Sequence, residues 1–147
     1  MAFRISFAKR HSYAGPGDTI SVPVVLRSGE ETIDLVANLD TGAAYCLFER
    51  SYAEALGLNV ERGVPMSFAT ANSRFEAYGH EVTIGTLDIE VHSLVFFFAD
   101  ADIVKNVLGR HGWLDRLNVG IVDHDRSSTT THPAAHNPPR QPLAAHP

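Results

Sequence analysis

The feature that most limits the possible folds is a period-two apolar pattern that ends on an acid. Ile20, Val22, Val24 and Leu26 alternate with Ser21, Pro23 and Val25, and Ser28-Gly29-Glu30 marks a turn. Ile33, Leu35, Ala37 and Leu39 then run straight into Asp40-Thr41-Gly42. Side chains two apart on an extended chain share a face, so each run reads as a half-buried strand and the pair as a hairpin. Pro23 has no N–H to give to a ladder, which places its strand at an edge or turns its nitrogen outward.

The same periodicity dominates the middle of the chain. Phe48, Tyr52, Ala55 and Leu56 fall on one helical face, and Gly57 suits a left-handed cap, so a short helix is expected from Glu49 to Leu56. Met66, Phe68 and Thr70 alternate, Ala71-Asn72-Ser73 turn, and Phe75, Ala77 and Val82 to Ile84 return as a long hairpin. Gly85-Thr86 predicts a second tight turn with a return strand from Leu87 to His92. Leu94 to Phe98 is apolar on both faces and is expected between layers. Gly112 to Leu117 puts Trp113, Leu114 and Leu117 on one side of a second short helix capped by Asn118, and Val119 to Val122 reads as a last strand.

From Arg126 onward the composition changes. Five of the eight prolines follow Thr131, with alanine, histidine and threonine between them and almost no large apolar side chain. Such a segment cannot bury enough surface to offset its ordering entropy. The expected organisation is one domain over residues 1–125 and a disordered tail over 126–147.

Bulk properties narrow the function. At 147 residues the chain has the size of a single domain with one real core. A net charge of -5 leaves no basic surplus for phosphates, so no nucleic-acid partner is expected. The longest apolar run, Leu94 to Ala99, is too short to span a bilayer, and the first residues lack the apolar core of a signal peptide. Cys46, the single cysteine, precludes an internal disulfide and fits a reducing, cytoplasmic setting. No histidine is tied to it by any visible pattern, so a small buried hydrophobe is expected in place of a thiol nucleophile. The eight histidines show no recognisable zinc spacing, and no metal is expected.

Asp40-Thr41-Gly42 at the end of an apolar hairpin strand, with Val107-Leu108-Gly109-Arg110 downstream, carries a family resemblance. The chain resembles the retropepsin-like aspartic proteases, the single-domain class that includes the retroviral enzymes, from about Asp18 to about Asp123. The resemblance implies an all-β fold, a closed barrel with one or two short helices. It also implies an aspartic endopeptidase that acts on an extended peptide without a cofactor. By position, Asp40 matches the catalytic acid, and Thr41 the threonine that bonds across a twofold axis. Gly42 matches the glycine that contacts substrate, with Ala43 beside it. Leu108-Gly109 matches the element packed beneath the acid, and Arg110 the arginine after it. Ala71, Asn72 and Ser73 fall at the tip of the family's flap. Phe3, Ile5 and Phe7 are placed to form a terminal strand that meets the partner's C-terminal strand.

The chemistry requires two carboxylates, one ionised to take a proton from water and one protonated to donate to the scissile carbonyl. The Asp40 triplet has no second copy in the sequence, so a working site requires a homodimer with the acid near the axis. Three departures stand out. Ala44 replaces an acid, which leaves Arg110 without its familiar partner and leaves open whether Asp115 or another acid takes that place. The flap tip has no glycine cluster. Ala43 offers no hydroxyl to the outer carboxylate oxygen, so the activity optimum is expected nearer neutral than that of a gastric-type enzyme. Two other readings fit the pattern: a catalytically silent dimeric binding or regulatory module, and a monomeric barrel holding a small apolar ligand.

Overall fold

The computed structural model describes residues 2, 4–13 and 18–133. Among them the chain forms β1 (Lys9–Ser12), β2 (Ser21–Ser28), β3 (Glu31–Leu39) and β4 (Leu47–Phe48), then helix α1 (Arg50–Ala55). After the helix come β5 (Val64–Ala69), β6 (Arg74–Thr86), β7 (Ile89–Phe98), β8 (Val107–Leu108), β9 (Asn118–Val122) and β10 (Ser127–Thr131). The all-β expectation holds, and none of the described helices is long and apolar enough to cross a membrane.

Seven strands lie in the order β2-β3-β8-β4-β7-β6-β5, and a further pairing of β2 with β6 closes all but β5 into a ring. The hairpin into Asp40 pairs along its whole length, from Ser21 opposite Asn38 to Ser28 opposite Glu31. Gly29 at φ 59 supplies the turn. The Leu39 N–H donates to the Ile20 carbonyl at 2.8 Å, so the odd-numbered residues of β2 direct their backbone away from β3. Pro23 is one of these, and β6 reaches β2 only from Val25 onward. Its missing N–H therefore costs no ladder bond.

Val22, Val24, Leu26, Leu35, Ala37 and Leu39 line the interior with Phe48, Phe97, Leu108 and Trp113. A second cluster of Leu47, Ala77, Phe96 and Phe98 takes in Tyr45, Met66, Phe68 and Phe75 from beneath the β5–β6 hairpin. Trp113 is wholly buried and donates its indole N–H to Thr86 Oγ1 at 3.1 Å, so this large ring is both packed and satisfied. Cys46 is buried, as expected of a small hydrophobe.

Several local expectations are corrected. The β6–β7 turn lies at Leu87 and Asp88, with φ 49 and 65, and not at Gly85-Thr86. Gly85 pairs with Glu90 and Thr86 with Ile89, so both residues assigned to the turn belong to the ladder. The segment after Gly112 makes only a short 3-10 turn (Leu114–Arg116), and Asn118 opens β9 and does not cap a helix. Ser127–Thr131, assigned to the tail, forms β10 between β1 and β9. Its Ser127, Ser128 and Thr130 are buried, and the Ser128 and Thr130 hydroxyls find no hydrogen-bond partner among the described residues, so this strand is held by its backbone ladders. The remainder of the expected tail, from residue 134, lies outside the described residues. Phe3 does too, while Ile5 and Phe7 lie outside any strand. The N-terminal strand is instead β1, and it pairs with β10 of its own chain.

Candidate active site

The acid is positioned by a strand that arrives late in the sequence. β3 and β4 are separated by a gap that β8 fills, parallel to β3 and antiparallel to β4. Leu39 sits opposite Leu108, and the Asp40 N–H donates to the Leu108 carbonyl at 3.0 Å. Asp40 thus leaves the sheet with its backbone fixed. The chain then turns at once, with the Ala43 N–H on the Asp40 carbonyl at 3.2 Å. The Gly42 amide donates to Asp40 Oδ1 at 2.9 Å, so a backbone N–H faces the carboxylate. Asp40, Thr41 and Gly42 are exposed on the single chain, and Ala43 is half-buried.

Beneath this loop the Gly109 segment runs in contact with it. Arg110 N–H donates to the Ala43 carbonyl at 2.9 Å, and His111 N–H to that of Ala44 at 2.8 Å. A side chain at Gly109 would collide with the Tyr45 carbonyl and stand 2.9 Å from the Ala43 carbonyl. Only glycine permits the two segments to lie this close. The Gly109 N–H points at Cys46 Sγ, 3.4 Å away. Burial pushes the Cys46 thiol up to about 11, so it stays a protonated filler beneath the loop. Asn106 fastens the start of β8: its side chain accepts the Glu49 N–H at 3.0 Å, and its carbonyl accepts that of Asn38 at 2.9 Å.

The predicted site residues therefore fall into two places. Asp40, Thr41, Gly42, Ala43, Leu108, Gly109 and Arg110 come together in one hydrogen-bonded layer. Ala71, Asn72 and Ser73 sit exposed at the tip of the β5–β6 hairpin. Without glycines, that tip is closed by Thr70 and Ser73. The Thr70 N–H donates to the Ser73 carbonyl at 2.8 Å, and Thr70 Oγ1 accepts the Ser73 N–H at 3.1 Å. Asp115 is not the substitute partner of Arg110. Its carboxylate accepts the Gly112 N–H at 2.9 Å and faces Arg116 and His111. Among the described residues no carboxylate pairs with the Arg110 guanidinium.

Tyr45 is a site residue that periodicity did not single out. Its ring meets Phe68 edge-on at 5.9 Å, Phe96 at 5.1 Å and His111 at 5.3 Å. Phe68 in turn stacks on Phe75 at 5.3 Å. One aromatic chain therefore links the acid loop to both arms of the hairpin. An aromatic five residues after the acid was the available signal. A separate surface groove of about 640 Å³, lined by Val25, Asp34, Leu35, Leu87, Asp88 and Glu90, includes none of the predicted site residues.

A family model described as aspartyl protease matches residues 22–112, which take in the acid loop, the β5–β6 hairpin and the Gly109 segment. The chain belongs to that family. Among solved structures, a retropepsin-like aspartic protease from Rickettsia conorii is similar at a TM-score of 0.65 and 15% identity, covering 84% of this chain and 99% of that one. The EIAV protease, solved in complex with the inhibitor HBY-793, is similar at a TM-score of 0.50 and 19% identity, covering 67% of this chain and 88% of that one. These likenesses establish the retropepsin-like fold. No curated protein matches the chain.

Proposed function

We propose that this retropepsin-like chain is an aspartic endopeptidase that works as a homodimer in the cytoplasm on extended peptide segments. The observation that carries the reading is the support of Asp40: a backbone fixed by Leu108, an amide on its carboxylate, and an exposed face. One carboxylate cannot act as acid and base in the same step, so Asp40 is paired with Asp40 of the partner subunit. One of the pair takes a proton from water while the other donates to the peptide carbonyl. Water attacks directly and no covalent intermediate forms. Thr41 braces the pair across the axis, and Leu108, Gly109 and Arg110 keep the loop in place. Gly42 and Ala43 meet the peptide from below, and Ala71, Asn72 and Ser73 close over it, in the strand-addition mode.

Cleavage of an unstructured peptide library by the parent and by Asp40→Asn tests the reading. Asp40→Asn is expected to abolish cleavage while leaving the sedimentation behaviour unchanged. Equal cleavage by both proteins overturns it. A parent that dimerises without cutting any peptide points to the silent binding module.

A further inference from the structure

We infer that the C-terminal segment of this chain, residues 134–147, folds back into the surface groove beside β2, β3 and the β6–β7 turn, with its prolines on the apolar floor and Arg140 on Asp34. The inference stands apart from the peptidase reading, because the groove includes none of the predicted site residues.

One cross-strand row explains why a groove lies there. Asp34 of β3 stands opposite Val25 of β2, Val25 opposite Gly85 of β6, and Gly85 opposite Glu90 of β7. These positions share the outer face of the ring, where Asp34, Val25 and Glu90 are exposed. Gly85 has no side chain, so the row dips between Val25 and Glu90. Toward Pro23 the pairing of β2 with β6 stops, and Leu87 lines the groove from the turn. Pro23 stands opposite Val36, and Val25 and Val36 are 42% and 60% exposed. An apolar floor thus lies open with three carboxylates around it, Asp34, Asp88 and Glu90. Two of these are taken: Lys9 reaches Asp88 at 2.7 Å and Arg27 reaches Glu90 at 3.0 Å. Asp34 pairs with no cation among the described residues. Such a surface fits an apolar segment that brings one cation.

The chain itself holds such a segment, and its exit lies beside the groove. Residues 134–147, outside the described residues, read Ala-Ala-His-Asn-Pro-Pro-Arg-Gln-Pro-Leu-Ala-Ala-His-Pro, with Arg140 and no acid. Pro138, Pro139 and Pro142 have no N–H, and neither does Pro23 in the groove wall, so the two surfaces can meet without a ladder and without an orphaned donor. A proline-rich segment also has little conformational entropy to lose when it docks extended. Thr130 pairs with Lys9, the Ala8 N–H donates to the Thr130 carbonyl at 3.2 Å, and the Lys9 ammonium lies on Asp88 at the rim. The path from there to Asp34 is one strand spacing, one lysine side chain and the groove, whose three strand spacings make about 15 Å. Proline-rich chain from Thr130 to Arg140 can extend to about 30 Å, enough to cover it. Tethering at this range gives an effective concentration on the order of millimolar, so a shallow contact suffices.

A spin label reads the contact in the full-length chain. Cys46 is buried with its thiol protonated, so Ala145→Cys supplies the one accessible thiol. A nitroxide there is expected to broaden the amide signals of Val25, Asp34, Gly85 and Glu90. Arg140→Asp, and separately Asp34→Lys, is expected to lower the docked-to-free ratio by about threefold or more, and the two together to restore it. Gly85→Leu should release the segment by filling the dip; a Cβ there meets nothing nearer than 3.6 Å, so the strand accepts it. An unbroadened groove in the parent overturns the inference, as does broadening that neither charge change nor Gly85→Leu reduces. Mixing isotope-labelled protein that lacks the nitroxide with nitroxide-bearing protein that lacks the isotope reads contacts between copies. Broadening as strong in that mixture as within one chain places a second copy's segment in the groove, and also overturns the fold-back.

Discussion

Gly109 and Cys46 show how single positions hold the acid loop in place. Gly109→Ala drives a methyl into the Tyr45 and Ala43 carbonyls, both of which are backbone and cannot rotate aside. A loss of about 3 kcal/mol is expected, read from the urea midpoint, with cleavage falling further than stability because the loop above shifts. Cys46 makes stability depend on alkaline pH. Its thiol holds a proton more tightly in the folded chain, with its value raised from 9.0 to about 11, so its contribution is complete below about pH 9 and is lost between there and about 11. About 2–3 kcal/mol is expected to disappear over that window. Cys46→Ser, which does not titrate there, should flatten the slope in pH-dependent unfolding. Neither effect involves Asp40, so both test the support beneath it.

At the scale of elements, the β6–β7 turn has one residue that resists it, Leu87. Leu87 and Asp88 adopt positive φ, and Lys9 reaches Asp88 at 2.7 Å. Leu87→Asn should stabilise the fold by roughly 0.5–1 kcal/mol, seen as a higher melting temperature, because asparagine accepts the left-handed region more readily. A drop in that temperature would show that Leu87 owes its place to packing. This turn also shows where sequence reasoning stops. The hairpin into Asp40 was legible because alternation, a glycine turn and an edge proline agreed at every step. Gly85 drew the second turn too early, because no local signal marks Leu87-Asp88. β10 was illegible for another reason: Ser127 to Thr131 carries no apolar alternation, and only the flanking strands reveal it. Whether Asp115 replaces the acid lost at Ala44 was not legible in sequence, because its carboxylate serves Gly112 within its own turn. The aromatic link from Tyr45 through Phe68 to Phe75 joins residues far apart in sequence, and periodicity within one strand cannot show it.

For the whole molecule, a ring of strands positions a loop that is exposed on a single chain. Cleavage is therefore expected to rise with the square of protein concentration below the dimer constant and linearly above it. Adding Asp40→Asn to the parent should suppress activity beyond simple dilution, because mixed dimers carry one acid. Linear kinetics at every concentration would mean that each chain acts alone. The parallel insertion of β8 has a consequence for how such a protein comes into being. Asp40 leaves the ribosome long before Leu108, and until that carbonyl arrives its loop has no floor. A chain that stops short of Leu108 carries the acid without its setting, so whatever Asp40 can do to a peptide is withheld until that strand has been made.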